Sequence, residues 1–207
     1  RYRVSYKDSP IIDALWKATK NGKNVSVLLE LKARFDEKQN IDLVTRLKES
    51  GCNIVYGVEE LKVHGKFCVV AKKTRKGIKL FSHIATGNYN EVTSRIYTDI
   101  SYLTSRTKIG NELNNIFNAL SGFSDFGKHE ALSVSPIGIR EKLLSCIDNE
   151  IRNVKKGGTG FIVLKTNSLC DKKIIDKLYE AAKKGVNIKI ICRGICSIVA
   201  NENIEIR

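Results

Sequence analysis

The feature that most constrains the fold is a segment that occurs twice. Residues 11–24 read IIDALWKATKNGKN and residues 174–187 read IIDKLYEAAKKGVN, with eight of the fourteen positions identical. Each copy has the apolar spacing of an amphipathic helix, then a glycine, and then a β-branched apolar stretch. The pattern favours a duplicated α/β architecture with two similar halves; two independent helix–glycine–strand units are the alternative.

Between the two copies, short apolar stretches alternate with amphipathic ones. This alternation predicts an α/β fold in which mixed or parallel sheets are flanked by helices. We predict strands over residues 3–6, 25–31, 53–56, 66–71, 79–83, 132–134, 161–165 and 187–192, and helices that begin near Pro10 or cover 37–50, 109–120, 137–154 and 172–184. Residues 122–128 read as a linker, so the predicted domains are 1–127 and 128–207.

The charge of the chain points to an anionic partner. Its 207 residues carry 36 lysines and arginines against 22 acidic residues, a net charge of +14. A surface this basic favours nucleic acid, an anionic membrane face or a phosphate polymer. Aromatic residues make up only 7% and are scattered, which disfavours stacking platforms for bases. No apolar run approaches the ~18 residues of a membrane helix.

Other patterns exclude several classes of site. The six cysteines form no Cys-x-x-Cys pair, and most lie in apolar segments, so we expect reduced core thiols. The three histidines lack zinc-finger spacing, and His129 is expected at the surface. Residues 157–160 lack the lysine and hydroxyl residue of a Walker-type loop. The chain has no methionine and is expected to be an excerpt or a processed product.

The strongest chemical signal is His64-Gly65-Lys66, followed by the turn 86–90, Thr-Gly-Asn-Tyr-Asn. Residues 62–70 read as a buried strand, and side chains alternate along a strand, so His64 and Lys66 are predicted on one face. An imidazole can attack phosphorus while an ammonium and the donors of the turn take up the charge of a phosphate. His-x-Lys with a Gly/Asn turn resembles the phospholipase D superfamily. That superfamily has an aspartate five residues after the lysine, where this chain has Ala71.

Five blocks together resemble bacterial polyphosphate kinase of the phosphohistidine type. They are residues 33–37, ARFDE; 62–66, KVHGK; 83–91, HIATGNYNE; 95–99, RIYTD; and 193–197, RGICS. The resemblance runs from Arg3 to the last residue. It implies two phospholipase-D-like halves and identifies the chain as the C-terminal catalytic region of a longer enzyme. If each half supplies one histidine, the second falls near position 227, past Arg207, so we expect the second half to be truncated and this chain to be weak or inactive.

The resemblance also implies an activity and residue roles. The family transfers the terminal phosphate of ATP reversibly to inorganic polyphosphate through a phosphohistidine. His64 matches the phosphorylated histidine, and His83 a second histidine that we interpret as supporting. The remaining matched positions are Lys66, Asn88, Tyr97 and Arg193 at the phosphate and nucleotide, and Arg3 and Arg34 at the magnesium site. Since arginine cannot ligate a cation, Arg3 and Arg34 should hold phosphate oxygens that also bind Mg²⁺.

The expected partners are therefore ATP or ADP, Mg²⁺ and inorganic polyphosphate, with no specific nucleic acid. The expected location is the cytoplasm, with peripheral association at the inner face of the membrane, and the longer parent is expected to be a homo-oligomer. Two alternatives stay open at this point. One is a phospholipase-D-type phosphodiesterase or nuclease, and the other is a non-catalytic module that binds polyanions.

Overall fold

The architecture is described from a computed structural model, which covers residues 9–29, 37–57, 62–90 and 92–207. The chain divides into two compact units, Arg1–Leu132 and Ser133–Arg207. Sheets flanked by helices occur in both units. This mixed α/β class agrees with the sequence prediction, whereas the phospholipase-D-like character of the halves and the boundary at residue 127 stay predictions.

The first part of unit 1 is a small parallel sheet with two helices. Helix α1 (Pro10–Lys20) leads to strand β1 (Ser26–Leu28), and helix α2 (Glu37–Glu49) leads to β2 (Asn53–Val55), which pairs parallel with β1. Proline at the first position of α1 lacks the N–H that a helix start leaves unbonded. Gly22 has φ +70° after α1, a conformation that favours glycine. The core of this part contains Ile12, Leu43, Leu47 and Cys52.

The second part of unit 1 is an antiparallel sheet with one helix. Strands β3 (Lys66–Thr74), β4 (Gly77–Ala85) and β5 (Ser101–Thr104) lie in the order β3-β4-β5, and helix α3 (Thr107–Leu120) packs on one face. A Cβ on Gly110 of α3 would lie only 2.7 Å from Leu80 Cβ. Phe117 of α3 meets Phe67 edge-on, with ring centroids 6.4 Å apart. The opposite face of the sheet, which α3 does not cover, carries Lys66, Cys68 and His83.

The strand predicted over residues 132–134 is wrong. The backbone N–H groups of Glu130, Ala131 and Leu132 donate instead to the carboxylate of Glu112 on α3, at 2.8 to 3.2 Å. Burial alone would raise the pKa of Glu112, but these donors and nearby His129 outweigh it and hold the pKa below its ordinary value. His129 also departs from expectation, because both of its ring nitrogens are buried.

Unit 2 is a three-stranded parallel sheet covered by two helices. Helices α4 (Ile139–Lys155) and α5 (Lys172–Lys183) accompany strands β6 (Phe161–Thr166), β7 (Asn187–Cys192) and β8 (Ile204–Ile206), in the order β6-β7-β8. The side chain of Asp171 caps α5 by accepting from the Ile174 N–H at 3.1 Å. As after α1, a glycine with positive φ follows α5: Gly185, at +87°. Both copies of the repeated segment thus fold as helix, left-handed glycine and parallel strand.

The described cysteines and helices settle two further points. All six cysteines are free thiols. Cys52 lies in the core of unit 1, and the partly buried Cys192 and Cys196 pack against the core of unit 2, as expected. The expectation of core thiols is wrong for the exposed Cys68, Cys146 and Cys170, which lie on β3, on α4 and just before α5. Among the described residues, no helix combines the length and apolarity that crossing a membrane requires.

Candidate functional site

His64 and Lys66 meet at the start of β3. The strand begins at Lys66, so His64 lies in the segment that leads into it rather than inside the strand. The Lys66 ammonium nevertheless reaches back to the imidazole, with Nζ 3.0 Å from Nδ1 and 3.1 Å from Nε2. Lys66 is buried, with 5% of its surface exposed, while His64 is exposed to solvent. The pair therefore offers an accessible imidazole backed by a fixed positive charge.

The register of the sheet brings a second histidine to the same face. Cys68 of β3 pairs directly with His83 of β4, and Lys66 pairs with Ala85. Directly opposed residues of an antiparallel pair lie on one face, and so do residues two apart on one strand. His83 therefore shares the face of Lys66, one residue pair further along. The supporting role of His83 stays a prediction.

Tyr89 completes a small cluster around His83. Its hydroxyl lies 2.8 Å from His83 Nδ1, and the two rings are 5.5 Å apart between centroids. Burial, followed by the electrostatic effect of Cys68, raises the pKa of Tyr89 to about 12. Burial likewise raises the pKa of the Cys68 thiol. The phenol and the thiol therefore stay neutral beside His83, and the imidazole has a fixed hydrogen-bond partner.

The turn after β4 is built around two side chains that hold its backbone. Asn90 Oδ1 accepts from the N–H groups of Val92 and Thr93, at 3.1 and 2.8 Å. Thr86 donates its hydroxyl to Asp99 Oδ1 at 2.9 Å. Glycine at position 87 leaves room for the Asp99 side chain, because a Cβ there would lie 2.6 Å from Asp99 Cγ and would displace the carboxylate that accepts from Thr86. The turn is thus held rigidly beside the end of β4.

Two side chains of this turn have capacity for a ligand. Asn88 Oδ1 and Asn90 Nδ2 are buried and have no hydrogen-bond partner within the described part of the chain. Buried amide groups are normally satisfied, so orphan atoms at a turn beside His83 suggest that a ligand completes them. Asn90 Nδ2 is already a donor, and a half-turn rotation of the Asn88 amide would present N–H donors there too, which suit a phosphate oxygen.

Of the other predicted site residues, the structure describes Tyr97 and Arg193. Tyr97 is half exposed and follows the short 3-10 helix Thr93–Arg95. Arg193 belongs to unit 2, where its Nε and Nη2 donate to Asn167 Oδ1 at 2.9 and 2.7 Å. Arg3 and Arg34 lie outside the described residues. Ala71 pairs with Leu80 on the face of β3 that is turned away from Lys66.

Three residues of the site were missed from the sequence. Cys68 is two residues beyond Lys66, so the alternation that predicted the shared face of His64 and Lys66 could have added it. Tyr89 and Asp99 lay inside blocks that carried the family resemblance but received no role. Asp99 could not have been found by spacing, because its contact with Gly87 depends on how the chain returns after the 3-10 helix.

The described residues do not form a protein cage for a metal. No group of three His, Cys, Asp or Glu side chains within the described ranges could hold an ion. Mg²⁺ often binds through only one or two carboxylates together with substrate phosphates, so a site for an Mg²⁺–nucleotide complex does not require three such side chains.

Comparison with known proteins decides the family. Residues 1–126 match the family described as "Polyphosphate kinase C-terminal domain 1", and residues 132–206 match "Polyphosphate kinase C-terminal domain 2". The chain belongs to the polyphosphate kinase family. The recognition made from the five sequence blocks is thereby confirmed.

Individual members of the polyphosphate kinase family agree with this assignment. The chain is 46% identical to a polyphosphate kinase of Staphylococcus saprophyticus over 99% of its own length and 29% of the relative's. It is 47% identical to one of Bacillus cereus, over 95% and 28%. The crystal structure of polyphosphate kinase from Porphyromonas gingivalis superposes with a TM-score of 0.86 at 40% identity, covering 100% of this chain and 35% of that one. The chain thus spans about a third or less of these relatives.

Proposed function

We propose that this chain carries part of the catalytic machinery of an ATP–polyphosphate phosphotransferase, with His64 as the nucleophile. The observation that supports this most directly is the Lys66 ammonium, 3.0 and 3.1 Å from the two ring nitrogens of His64. Attack on phosphorus requires a neutral imidazole, and a positive charge beside the ring suits the anionic phosphoryl group that the ring would receive.

The first step is attack by one nitrogen of His64 on the γ-phosphorus of ATP. A nitrogen–phosphorus bond forms, the bond from the γ-phosphorus to the bridging oxygen breaks, and ADP leaves with that electron pair. The Lys66 ammonium, already placed against the ring, would stabilise the charge on the transferring phosphoryl oxygens. No proton has to leave Lys66 in this step.

The second step returns the phosphoryl group to a polymer. A terminal oxygen of polyphosphate attacks the phosphorus, the nitrogen–phosphorus bond breaks, and His64 is regenerated as neutral imidazole after proton balance with solvent. The polyphosphate polymer grows by one phosphate unit. Because each step exchanges one phosphoryl bond for another of similar energy, both steps can run in reverse, so ADP and polyphosphate can regenerate ATP.

Further roles follow from the family resemblance. Asn88 would donate to a phosphate oxygen, and His83, held by Tyr89, would support the phosphoryl group. Tyr97 and Arg193 would contact the nucleotide. Arg3 and Arg34, outside the described residues, would hold phosphate oxygens that also bind Mg²⁺. The Mg²⁺ would enter with ATP and reduce the charge of its phosphates.

Larger-scale features of the prediction belong to this proposal as well. The repeated helix–glycine–strand unit supports two phospholipase-D-like halves, residues 1–127 and 128–207, the second of them incomplete. Use of ATP favours the cytoplasm as the location. Peripheral association with the inner face of the membrane and a homo-oligomeric parent stay predictions.

The test is phosphoryl labelling with γ-labelled ATP and Mg²⁺. We compare the chain with its His64→Ala, Lys66→Gln and Lys62→Gln variants, and use the Staphylococcus saprophyticus relative as a positive control. Acid-labile, base-stable label should disappear with His64→Ala. Lys66→Gln should slow labelling by roughly 10²–10³-fold. Lys62→Gln removes an exposed lysine from the same segment and should have little effect.

Two outcomes would contradict the proposal. Label that persists in His64→Ala would place the nucleophile elsewhere. Absence of label on both the chain and the relative, with cleavage of phosphodiesters instead, would favour the phosphodiesterase alternative. Label on the relative but not on this chain would instead indicate that residues outside the chain complete the site.

A further inference from the structure

The hairpin of β3 and β4 extends well beyond the third strand of its sheet. The two strands pair from Lys66 with Ala85 to Thr74 with Gly77, whereas β5 pairs with β4 only over Ser82–Ala85. We call residues 70–81 the basic ribbon. Apart from Leu80, which lies under α3, every residue of the basic ribbon is exposed. The ribbon is therefore a two-stranded projection open to solvent.

The basic ribbon carries positive charge without any compensation. It has five cations within eight residues, and no acidic residue occurs between residues 62 and 90. Within the described part of the chain, none of the five forms an ion pair; they are Lys72, Lys73, Arg75, Lys76 and Lys79. Such a surface attracts polyanions and has no built-in counterion.

One pair of these cations is placed unfavourably for the hairpin itself. Lys72 and Lys79 are directly opposed across the strands. Opposed side chains of an antiparallel pair lie about 5 Å apart at Cβ, and like charges there are destabilising. The Lys79 ammonium lies over the Phe81 ring, 5.1 Å from its centroid, and so is held on the ribbon rather than extended into water. An anion above this pair would remove the repulsion.

The opposed pair lies on the face of the sheet that carries the candidate site. Lys66, Cys68, Val70 and Lys72 alternate along one face of β3, and the cross-strand partner of Cys68 is His83. Lys72 and Lys79 are four residues along the strands from the Cys68–His83 pair, a distance of about 14 Å. A linear polyanion with its end at His64 could therefore continue over this face of the basic ribbon.

We propose that the basic ribbon binds the inorganic polyphosphate chain, with Lys72 and Lys79 as its main contacts. This inference rests on the proposed function and adds the surface that holds the polymer. Polyphosphate has a negative charge on every unit and offers no bases to stack. The ribbon matches this chemistry, because lysine acts on phosphate as a point charge and the exposed face bears only one aromatic ring, Phe81.

The test measures binding of end-labelled long-chain inorganic polyphosphate to the 207-residue chain at several salt concentrations. Loss of both contacts in Lys72→Gln/Lys79→Gln should raise Kd about tenfold or more and reduce the salt slope by about two. The matched control is Lys73→Gln against Lys72→Gln. Both lysines are exposed and each substitution removes one charge, but Lys73 lies on the opposite face of the strand. Lys72→Gln should weaken binding clearly more than Lys73→Gln.

A second variant separates binding from folding. Lys79→Glu places opposite charges across the strands, so it should raise Tm or leave it unchanged while it weakens polyphosphate binding. Equal effects of Lys72→Gln and Lys73→Gln would overturn the proposal, because they would indicate diffuse attraction. Unchanged affinity in the double variant would also overturn it, and so would tighter binding of duplex DNA than of polyphosphate through the same lysines.

The labelling experiment at His64 distinguishes this proposal from the function on which it rests. If the ribbon variants bind polyphosphate normally while His64 is labelled by ATP, the ribbon proposal fails and the function stands. If His64 is never labelled while polyphosphate binding depends on Lys72 and Lys79, the proposed chemistry fails and the binding surface stands.

Discussion

Lys66 shows how much a single buried charge can indicate. Lysine is almost never fully buried unless it is paired, and here the side chain is turned inward against an exposed imidazole. A lysine kept only for packing could be replaced by an apolar residue without the cost of desolvating an ammonium. In the proposed function, Lys66 supplies the fixed positive charge at the ring of His64.

The hydrogen bond between Tyr89 and His83 yields a prediction at the residue scale. Tyr89→Phe should lower stability at neutral pH by about 1 kcal/mol, because it removes the hydrogen bond with His83. Burial, followed by the electrostatic effect of Cys68, raises the pKa of Tyr89 from its ordinary 10.0 to about 12, so the folded state holds the phenolic proton more tightly than the unfolded state. The stability that this shift contributes is complete below about pH 10 and is lost as pH rises through about pH 12, so Tyr89→Phe should also flatten the alkaline decline.

Urea unfolding of the wild-type chain and of Tyr89→Phe between about pH 8 and pH 12 checks this expectation. Tyr56→Phe is the control, since it removes the hydroxyl of a more exposed tyrosine at the end of β2. We also expect the Tyr89 hydroxyl to donate to His83 Nδ1, which leaves the ring proton on Nε2; nitrogen NMR shifts of His83 report the tautomer. An alkaline stability profile that is identical in wild type and Tyr89→Phe would contradict the assignment.

At this scale, the sequence predicted site residues that are close together in the chain. It did not predict residues that only tertiary folding brings to the site. His64 and Lys66 are two residues apart, so the sequence predicted that they meet, although His64 precedes β3 and the contact is made by the Lys66 side chain rather than by strand alternation. Asp99 reaches Gly87 only after a 3-10 helix and a reversal, for which no spacing rule exists. The roles of Tyr97 and Arg193 rest on resemblance alone, because nothing in their local sequence predicts a ligand.

At the scale of elements, long periodic segments were predicted closely. The helix expected over residues 109–120 is Thr107–Leu120, and the strand expected over 187–192 has those bounds. The strands β5 and β8 were missed because each has only three or four residues and depends on a neighbour for its pairing. The strand expected over 132–134 failed for the opposite reason, since Glu112 takes up the backbone donors that a sheet would need.

The packing of α3 on β4 yields a prediction at the element scale. Gly110→Ala would place a methyl group 2.7 Å from Leu80 Cβ and 2.8 Å from Leu80 Cδ1, so the helix would have to move away from the sheet. Helix propensity favours alanine by about 1 kcal/mol, whereas overpacking costs about 1–3 kcal/mol. Because an atom next to the backbone is involved, we expect net destabilisation, seen as a lower urea midpoint.

Asn114→Ala is the matched control for Gly110→Ala. It lies on the exposed face of the same helix, so it changes helix propensity without changing the contact with β4. Its stability should stay within about 0.5 kcal/mol of wild type. If Gly110→Ala proved as stable as Asn114→Ala, the close approach of α3 to β4 would not constrain this position.

At the scale of the whole molecule, the division into two compact units yields a further prediction. Ser133–Arg207 has a core of its own, in which Leu178, Ala181, Val186 and Ile188 are fully buried. A parallel sheet with both helices present meets the requirements of an independently folding unit, although its size makes its stability marginal. We expect this segment, expressed alone, to unfold cooperatively on heating.

Circular dichroism of the isolated segment measures this, with Leu178→Ala as the comparison. Removing that side chain should cost about 2–5 kcal/mol and abolish the thermal transition. A segment without helical signal, or one that melts gradually whether or not Leu178 is present, would show that unit 2 depends on the remainder of the chain.

The uniform charge of the basic ribbon has a consequence for how a polymer would travel. Lysines that contact identical phosphate units have no preferred register, so shifting the polymer by one unit exchanges each contact for an equivalent one. The energy barrier to such sliding is low, in contrast to a site that reads individual groups. After each addition, the end of the polyphosphate polymer could move back by one unit without dissociating from the ribbon. Synthesis would then be processive rather than distributive.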